Sequence, residues 1–209
     1  MGQHLLIDQL DVDVKRQAIS HKHTTMWIAL LLGFLMLSCG VDQPDPAPTR
    51  PFSTEDLLIT LEDMPPGWQV RSGPEDLRDS ITVGESLWIV FTAEDTVAPF
   101  QTASHRVYQY HNHRQATQIY QSDVQVGHWG ETPPEWKYES SLASTYTFTC
   151  GWYNDISQSV CEWSGVYEEY IIVFHAWLIP DRMTLQDIER IVGGIETRTA
   201  EYLSLNTSE

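Results

Sequence analysis

The sequence predicts an α+β domain in which an antiparallel sheet of about five to six strands has helices packed against it. Residues 145–152 alternate between large and small side chains, and residues 160–167 repeat the pattern. Residues 170–178 form a largely apolar strand, and residues 184–203 have the apolar spacing of a helix. The resulting order is α-β-β-α-β-β-β-α, and hairpins with helices between them are typical of this class.

The clearest strand pair is the hairpin that contains two cysteines. Thr145–Trp152 and Val160–Tyr167 each place their aromatic residues on one face. Folding the hairpin about Asp155–Ile156 sets Cys150 opposite Cys161, where paired Cβ atoms lie about 4.5–5.5 Å apart. The sequence therefore predicts a cross-strand disulfide.

Further strands are predicted at Leu87–Thr92 and Arg106–His111, which are rich in β-branched or aromatic residues. Glu168-Glu169 predicts the tip of a second hairpin, in which both carboxylates are solvated. Arg71–Gly84 is polar and contains Gly73-Pro74, so we expect a loop there.

Three helices are expected, each with a capping residue. Ser53 begins the first, which Pro65-Pro66-Gly67 ends. Asn112 begins the second, which continues to about Val126, and Thr184 begins the last.

The N-terminal part predicts export and a lipid anchor. Met26–Ser38 has the length of a signal-peptide core, and Lys15, Arg16 and Lys22 precede it. Met36-Leu37-Ser38-Cys39 resembles the bacterial lipobox, which implies that Cys39 is lipidated and that the protein faces outside the cytoplasm on the cell membrane. The alternatives are a short uncleaved span and a simple secretory signal.

These features divide the chain into three parts. Residues 1–38 are expected to be a lipoprotein signal peptide, and residues 39–52 the lipidated cysteine with a proline-rich tether. Residues 53–205 are expected to form a single extracytoplasmic domain. Once Cys39 carries lipid, Cys150 and Cys161 remain to form one disulfide, as is common outside the cytosol.

The acidic charge belongs to the displayed part. The whole chain has a net charge of −17, and residues 1–39 contribute three basic and three acidic side chains, so the excess lies in residues 40–209. This argues against nucleic acid and anionic lipid heads as partners. The acidity is explained by solubility, or by cationic partners or Ca²⁺, although no D-x-D-x-D-G loop is present.

The element order resembles that of a broad set of small bacterial lipoprotein domains. They share an opening with a motif like Met64-Pro65-Pro66-Gly67-Trp68 and a last helix like Thr184–Leu203. The order also resembles the extracellular sensor domain of mycobacterial serine/threonine kinases and the PsbP and Mog1 folds. The resemblance implies an α+β fold and assigns no functional residue.

Histidines provide the candidates for chemistry. His111 and His113 lie two residues apart, as metal ligands on a strand do, with His105 nearby; polar residues at a strand–helix junction are the alternative. His175 lies in an apolar strand, where it is either a packed histidine or a catalytic base. No catalytic motif is found, and neither a metal nor a cofactor is expected.

Aromatic residues provide the candidates for binding. Eight tryptophans and nine tyrosines exceed what the core requires. Trp129, Trp136 and Tyr138 fall in the broken segment Gly127–Ser141, where they either form a recognition surface or fold back over the sheet.

The sequence thus favours a non-catalytic, membrane-anchored domain that binds a small ligand, an envelope polymer or an envelope protein. One alternative is an envelope hydrolase or metal-binding protein that uses His111, His113 or His175. The other is an accessory subunit of an envelope complex.

Overall fold

The computed structural model describes residues 48–77, 84–94, 101–124, 130–153 and 158–205. They belong to a compact unit, Asp45–Glu209. The predicted signal peptide, Cys39, Trp129 and the predicted turn at 154–157 lie outside the described residues. Among the described helices, none combines the length and apolarity that crossing a membrane would require.

Six antiparallel strands form one sheet, as the α+β prediction expects. The strands are β1 (Trp68–Asp76), β2 (Ser86–Ala93), β3 (Thr102–Gln109), β4 (Thr145–Tyr153), β5 (Gln158–Tyr167) and β6 (Tyr170–Trp177). Their spatial order is β1-β2-β3-β6-β5-β4, so β1 and β4 are the edge strands. The predicted register of the cysteine hairpin is confirmed, because Cys150 pairs with Cys161 and the two form a disulfide.

The helices begin where their caps predict. Helix α1 (His113–Ile119) starts after Asn112, whose side chain accepts a hydrogen bond from the Gln115 N–H at 2.9 Å, and it continues as a π-helical turn, Tyr120–Val124. Helix α2 (Leu185–Ser204) starts after Thr184 with a complete capping box.

The predicted first helix is wrong in detail. The chain forms two 3₁₀ turns instead, Thr54–Leu57 and Leu61–Asp63, because Thr60 forms a second capping box that restarts the helix. Between the turns the backbone is extended. There the Ile59 N–H donates a hydrogen bond to Nδ1 of His105 instead of to a helical carbonyl group.

The predicted loop over Arg71–Gly84 is also wrong in its first part, where residues up to Asp76 belong to β1. Two register shifts in the β1–β2 pairing accommodate Gly73-Pro74. A proline is tolerated there because β1 is an edge strand. Gly73 has φ +96°, and a Cβ on it would lie 2.5 Å from the Trp88 carbonyl oxygen, so glycine is required at this position.

The two faces of the sheet differ in what covers them. One face packs against α2 and the two 3₁₀ turns and forms the main core, whose largest buried members include Trp163, Phe174, Phe91, Leu57 and Ile188. On the other face, α1 and its π-helical turn cover Val166, Ile171 and Val173 with Ala116 and Tyr120. Beside this cluster, the second face carries polar side chains that include Ser104, His175 and Glu162.

The β5–β6 turn is at Glu168-Glu169, as predicted, but its carboxylates are not both solvated. Glu169 is buried, and the Arg50 Nε–H donates to its Oε1 at 2.6 Å. Arg50 also contacts Glu168. Two residues after Arg50, the aromatic ring of Phe52 packs against that of Tyr170.

Candidate functional site

An aromatic groove of about 370 Å³ lies beside the edge strand β4. We call it the edge groove. It is lined by Thr132, Trp136, Lys137, Tyr138, Glu139, Tyr146, Thr147 and Phe148. Four of these residues are aromatic, and the rim carries hydroxyl groups and charges of both signs.

The loop side of the edge groove is fixed by ring contacts. Trp136 stacks on Phe148 of β4 with ring centroids 3.5 Å apart. Tyr138 meets Trp163 of β5 edge to face, with centroids 5.7 Å apart. The predicted aromatics Trp136 and Tyr138 therefore fold back over the sheet and still line a groove with their remaining surface.

Backbone pairing holds the start of the same loop. Glu131 and Cys150 exchange two backbone hydrogen bonds, of 3.1 and 2.9 Å, and the Thr132 hydroxyl donates to the Phe148 carbonyl at 2.7 Å. Gly130 makes this approach possible, since its φ is +106° and a Cβ would lie 2.2 Å from the Cys150 carbonyl oxygen. This part of the loop caps the middle of the edge strand.

A buried carboxylate on α2 holds the far end of the loop. Glu196 accepts hydrogen bonds from the hydroxyl groups of Tyr138 at 2.9 Å and Tyr167 at 2.8 Å, and from that of Ser140. Burial, reinforced by the Glu196 charge, raises the pKa of both tyrosines, so both remain protonated donors. The glutamate thereby connects the loop, β5 and the helix.

The strand side of the edge groove is supplied by Tyr146. Its ring stacks on Trp163 with centroids 4.8 Å apart, and the residue remains 36 % exposed. Sequence reasoning placed Tyr146 in the hairpin without naming it as a site residue. Its position on the outermost strand, which only the sheet order reveals, makes it accessible.

A second groove, of about 390 Å³, lies at the other end of β4. It is lined mainly by apolar residues around Trp152, which is 60 % exposed, and includes Leu178, Ile179, Pro180, Met183 and Leu185. Sequence reasoning missed it because the segment after β6 shows no periodic pattern that would place it beside Trp152.

The two histidines considered as metal ligands, His111 and His113, have different surroundings. His113 is exposed, and its Nδ1 lies 3.0 Å from the Glu168 carbonyl oxygen. Nδ1 of His111 is buried and has no hydrogen-bond partner among the residues that the structure describes. Among the described residues, no group of three or more histidine, cysteine, aspartate or glutamate side chains is placed to hold a metal ion.

Two other histidines are kept neutral by burial. His105 lies in the core, where burial, with a contribution from the Arg198 charge, lowers its pKa to about 3. His175 is half-buried on the same face of the sheet as α1, where burial and the Arg106 charge lower its pKa to about 4. Neither histidine is protonated at neutral pH.

His175 lies in a row of polar side chains that crosses four strands. It pairs with Ser104 of β3 on one side and Glu162 of β5 on the other, and Glu162 pairs with Thr149 of β4. We call these four residues the polar row. Of these four residues, sequence reasoning named only His175. The alternation of side chains along β5 and β3 places Glu162 and Ser104 on the face of the sheet opposite to the main core.

The chain is thus an α+β domain with a preformed aromatic groove at one sheet edge. No known family model matches it, and no curated protein or solved structure shows significant similarity to it.

Proposed function

We propose that the protein is a lipid-anchored extracytoplasmic binding domain and that the edge groove is its ligand site. The single observation that carries the proposal is the exposed aromatic surface of this groove. Trp136, Tyr138 and Tyr146 keep accessible surface although the core behind them is complete. Aromatic rings that keep exposed surface, although the core behind them is already filled, are available to contact a ligand.

The lining favours a ligand that has both apolar faces and hydroxyl or amide groups. The aromatic rings offer flat apolar surfaces, while Thr132, Lys137 and Glu139 offer donors and acceptors around them. A glycan segment of an envelope polymer has this chemistry, since sugar C–H faces pack on rings and hydroxyl groups bond to the rim. The mixed charge of the rim gives no preference for a strongly charged ligand.

The fixed loop supports tight recognition. The ring stack of Trp136, the bridge at Glu131 and the Glu196 hydrogen bonds hold the groove in one shape before a ligand arrives. A preformed site loses little conformational entropy on binding.

The proposal can be tested by titrating the full-length protein, extracted in detergent, with chitotetraose, a β-1,4-linked tetramer of N-acetylglucosamine. We expect saturable binding by calorimetry. The variant Tyr146→Ala should bind about fivefold more weakly, since one aromatic contact contributes about 1 kcal/mol. Trp152→Ala is the matched control, because it removes a more exposed ring from the same strand outside the edge groove.

Unchanged affinity in Trp152→Ala together with the loss in Tyr146→Ala would support the edge groove as a glycan site. Absence of binding, or equal affinity of the wild type and Tyr146→Ala, would overturn it.

A further inference from the structure

The second groove, at the other end of β4 from Tyr146, has the features of a separate binding site. We call it the Trp152 groove. Its volume of about 390 Å³ lies in the range of sites that bind small molecules. Trp152 is 60 % exposed, the highest value of any large apolar residue in the described part of the chain. An exposed ring on the wall of an apolar groove offers surface that a ligand can remove from water.

Backbone hydrogen bonds fix the floor of the Trp152 groove. Ile179 and Met183, both buried, exchange two of these bonds, of 3.0 and 2.9 Å. The Leu178 N–H donates to the Ser159 carbonyl oxygen at 2.9 Å, and Ser159 pairs with Trp152 in the β4–β5 register. The groove therefore has a defined shape in the free protein, and a ligand needs to order little of the chain.

The lining of the Trp152 groove selects against charged ligands. None of the nine described residues that line it has an ionisable side chain. A carboxylate entering the groove would lose water without gaining a cation, and the net charge of −17 would repel it. A cation would be attracted by the domain but would find no carboxylate in the lining. The site therefore favours an electrically neutral ligand.

A polar group in the lining has no partner. Oε1 of Gln158 is buried and accepts no hydrogen bond from the described part of the chain. Buried acceptors are rarely left in this state, so this one points to a donor that a ligand supplies. The residue as a whole is only half-buried, and a turn of its terminal amide brings the oxygen toward the groove.

We propose that the Trp152 groove binds a neutral aromatic molecule that carries one hydrogen-bond donor. The ligand ring packs on Trp152 and contacts the Met183 sulfur, and both are favourable partners for an aromatic ring. The N–H or O–H group of the ligand donates to Oε1 of Gln158. These three residues belong to β4, β5 and the segment before α2, so the ligand is held from three sides.

The experiment compares indole with N-methylindole. Indole has one flat ring system and one N–H donor, and N-methylindole has the same ring system without the donor. The full-length protein, isotopically labelled in its methionine methyl groups, is titrated in detergent with each compound and followed by NMR. Met183 lines the groove, whereas Met64 is buried in the main core and serves as the internal control. A signal from the site itself separates binding in the groove from partitioning of the probe into detergent.

We expect indole to shift the Met183 methyl signal saturably, with a Kd of about 1 mM or below, and to leave the Met64 signal unchanged. N-methylindole should bind about fivefold more weakly, the usual effect of losing one neutral hydrogen bond. This comparison needs no substitution, so it remains decisive if a variant fails to fold.

Variants assign the contacts. Trp152→Ala should weaken indole binding about fivefold, since it removes the ring on which the ligand packs. Gln158→Leu should weaken indole binding about fivefold and leave the affinity for N-methylindole unchanged, because only indole donates to the amide oxygen. The matched controls are Tyr146→Ala, in the edge groove of the same strand, and Gln118→Leu, at an exposed position on α1. Both should bind indole as the wild type does.

Four results would overturn the proposal: absence of a saturable Met183 shift, equal affinity for indole and N-methylindole, or unchanged indole affinity in a folded Trp152→Ala or Gln158→Leu variant. The Trp152 groove and the edge groove share no lining residue, so the two proposals succeed or fail separately.

Discussion

Arg50 donates a hydrogen bond from Nε to Oε1 of Glu169 at 2.6 Å, and this contact joins the end of the predicted tether to the tip of the β5–β6 hairpin. The side chains are 8 % and 2 % exposed, so the ion pair is almost completely removed from water. The hydrogen bond to Glu169 raises the pKa of the Arg50 guanidinium above its ordinary value, and Glu168 adds to this effect. Burial acts in the opposite direction but is outweighed. The chain is therefore fixed to the domain from residue 50 onward.

Breaking this ion pair should destabilise the domain. Arg50→Ala leaves Glu169 buried without its cation, which typically costs about 3 kcal/mol. Urea unfolding followed by tryptophan fluorescence measures the loss. Arg114→Ala, which removes an exposed arginine, is the control and should change the free energy of unfolding by less than about 0.5 kcal/mol. Equal stability of the two variants would show that the pair contributes nothing.

The stability of the domain should fall as the pH drops below about 6.5. His105 titrates near 6.5 when the chain is unfolded, but its folded pKa is about 3, so between these values the unfolded chain binds the additional proton. This histidine therefore contributes full stability above pH 6.5, and the contribution decreases by about 1.4 kcal/mol per pH unit toward pH 3.

The variant His105→Asn tests this contribution. The asparagine Oδ1 can accept the hydrogen bond of the Ile59 N–H without titrating. Its free energy of unfolding should depend less steeply on pH between 6 and 4 than that of the wild type. The control His113→Asn changes an exposed histidine and should keep the wild-type slope. An unchanged slope in His105→Asn would contradict the claim that buried His105 is neutral in the folded domain.

The disulfide should stabilise the domain by about 2–3 kcal/mol. The reason is that it closes a loop between cysteines 11 residues apart and so lowers the entropy of the unfolded chain. The double variant Cys150→Ser with Cys161→Ser should lose this amount in urea unfolding. Adding a reductant should lower the wild type to the same stability and leave the variant unchanged. A wild type that does not respond to complete reduction would contradict the expectation.

Glu196 should control the loop that lines the edge groove. In Glu196→Ala the hydroxyl groups of Tyr138, Tyr167 and Ser140 lose their shared acceptor, so we expect a stability loss of about 3 kcal/mol. Hydrogen exchange should accelerate in residues 136–141 well before it does in β6. Glu201→Ala on the exposed side of α2 is the control. Uniform acceleration across the sheet would show that the glutamate has no specific role in the loop.

Local patterns in the sequence were sufficient for most of the sheet. The alternation of 145–152 and 160–167 determined the register that joins Cys150 to Cys161, because a shift by one residue would have buried the threonines. Helix α2 was predicted for a similar reason, since its cap and apolar stripe lie within one continuous segment. The prediction failed at β1, where glycine and proline interrupt an edge strand that the sheet nevertheless pairs.

The candidate sites depended on contacts between distant segments. Nothing near Trp136 in the sequence indicates that it stacks on Phe148, and nothing near Arg50 indicates that Glu169 is its partner. The polar row was also invisible, because Ser104, His175 and Glu162 become neighbours only when β6 inserts between β3 and β5. All three cases depend on contacts between segments far apart in the chain, which periodicity does not encode.

The proposed anchor at Cys39 is tested most directly by the intact mass of the protein extracted from the membranes of the native cells. We expect a mature chain that begins at Cys39 and carries fatty-acyl groups on that residue, and we expect Cys39→Ser to leave the membrane fraction. A membrane-bound protein that retains residues 1–38 without lipid, or a Cys39→Ser variant that partitions as the wild type does, would contradict it.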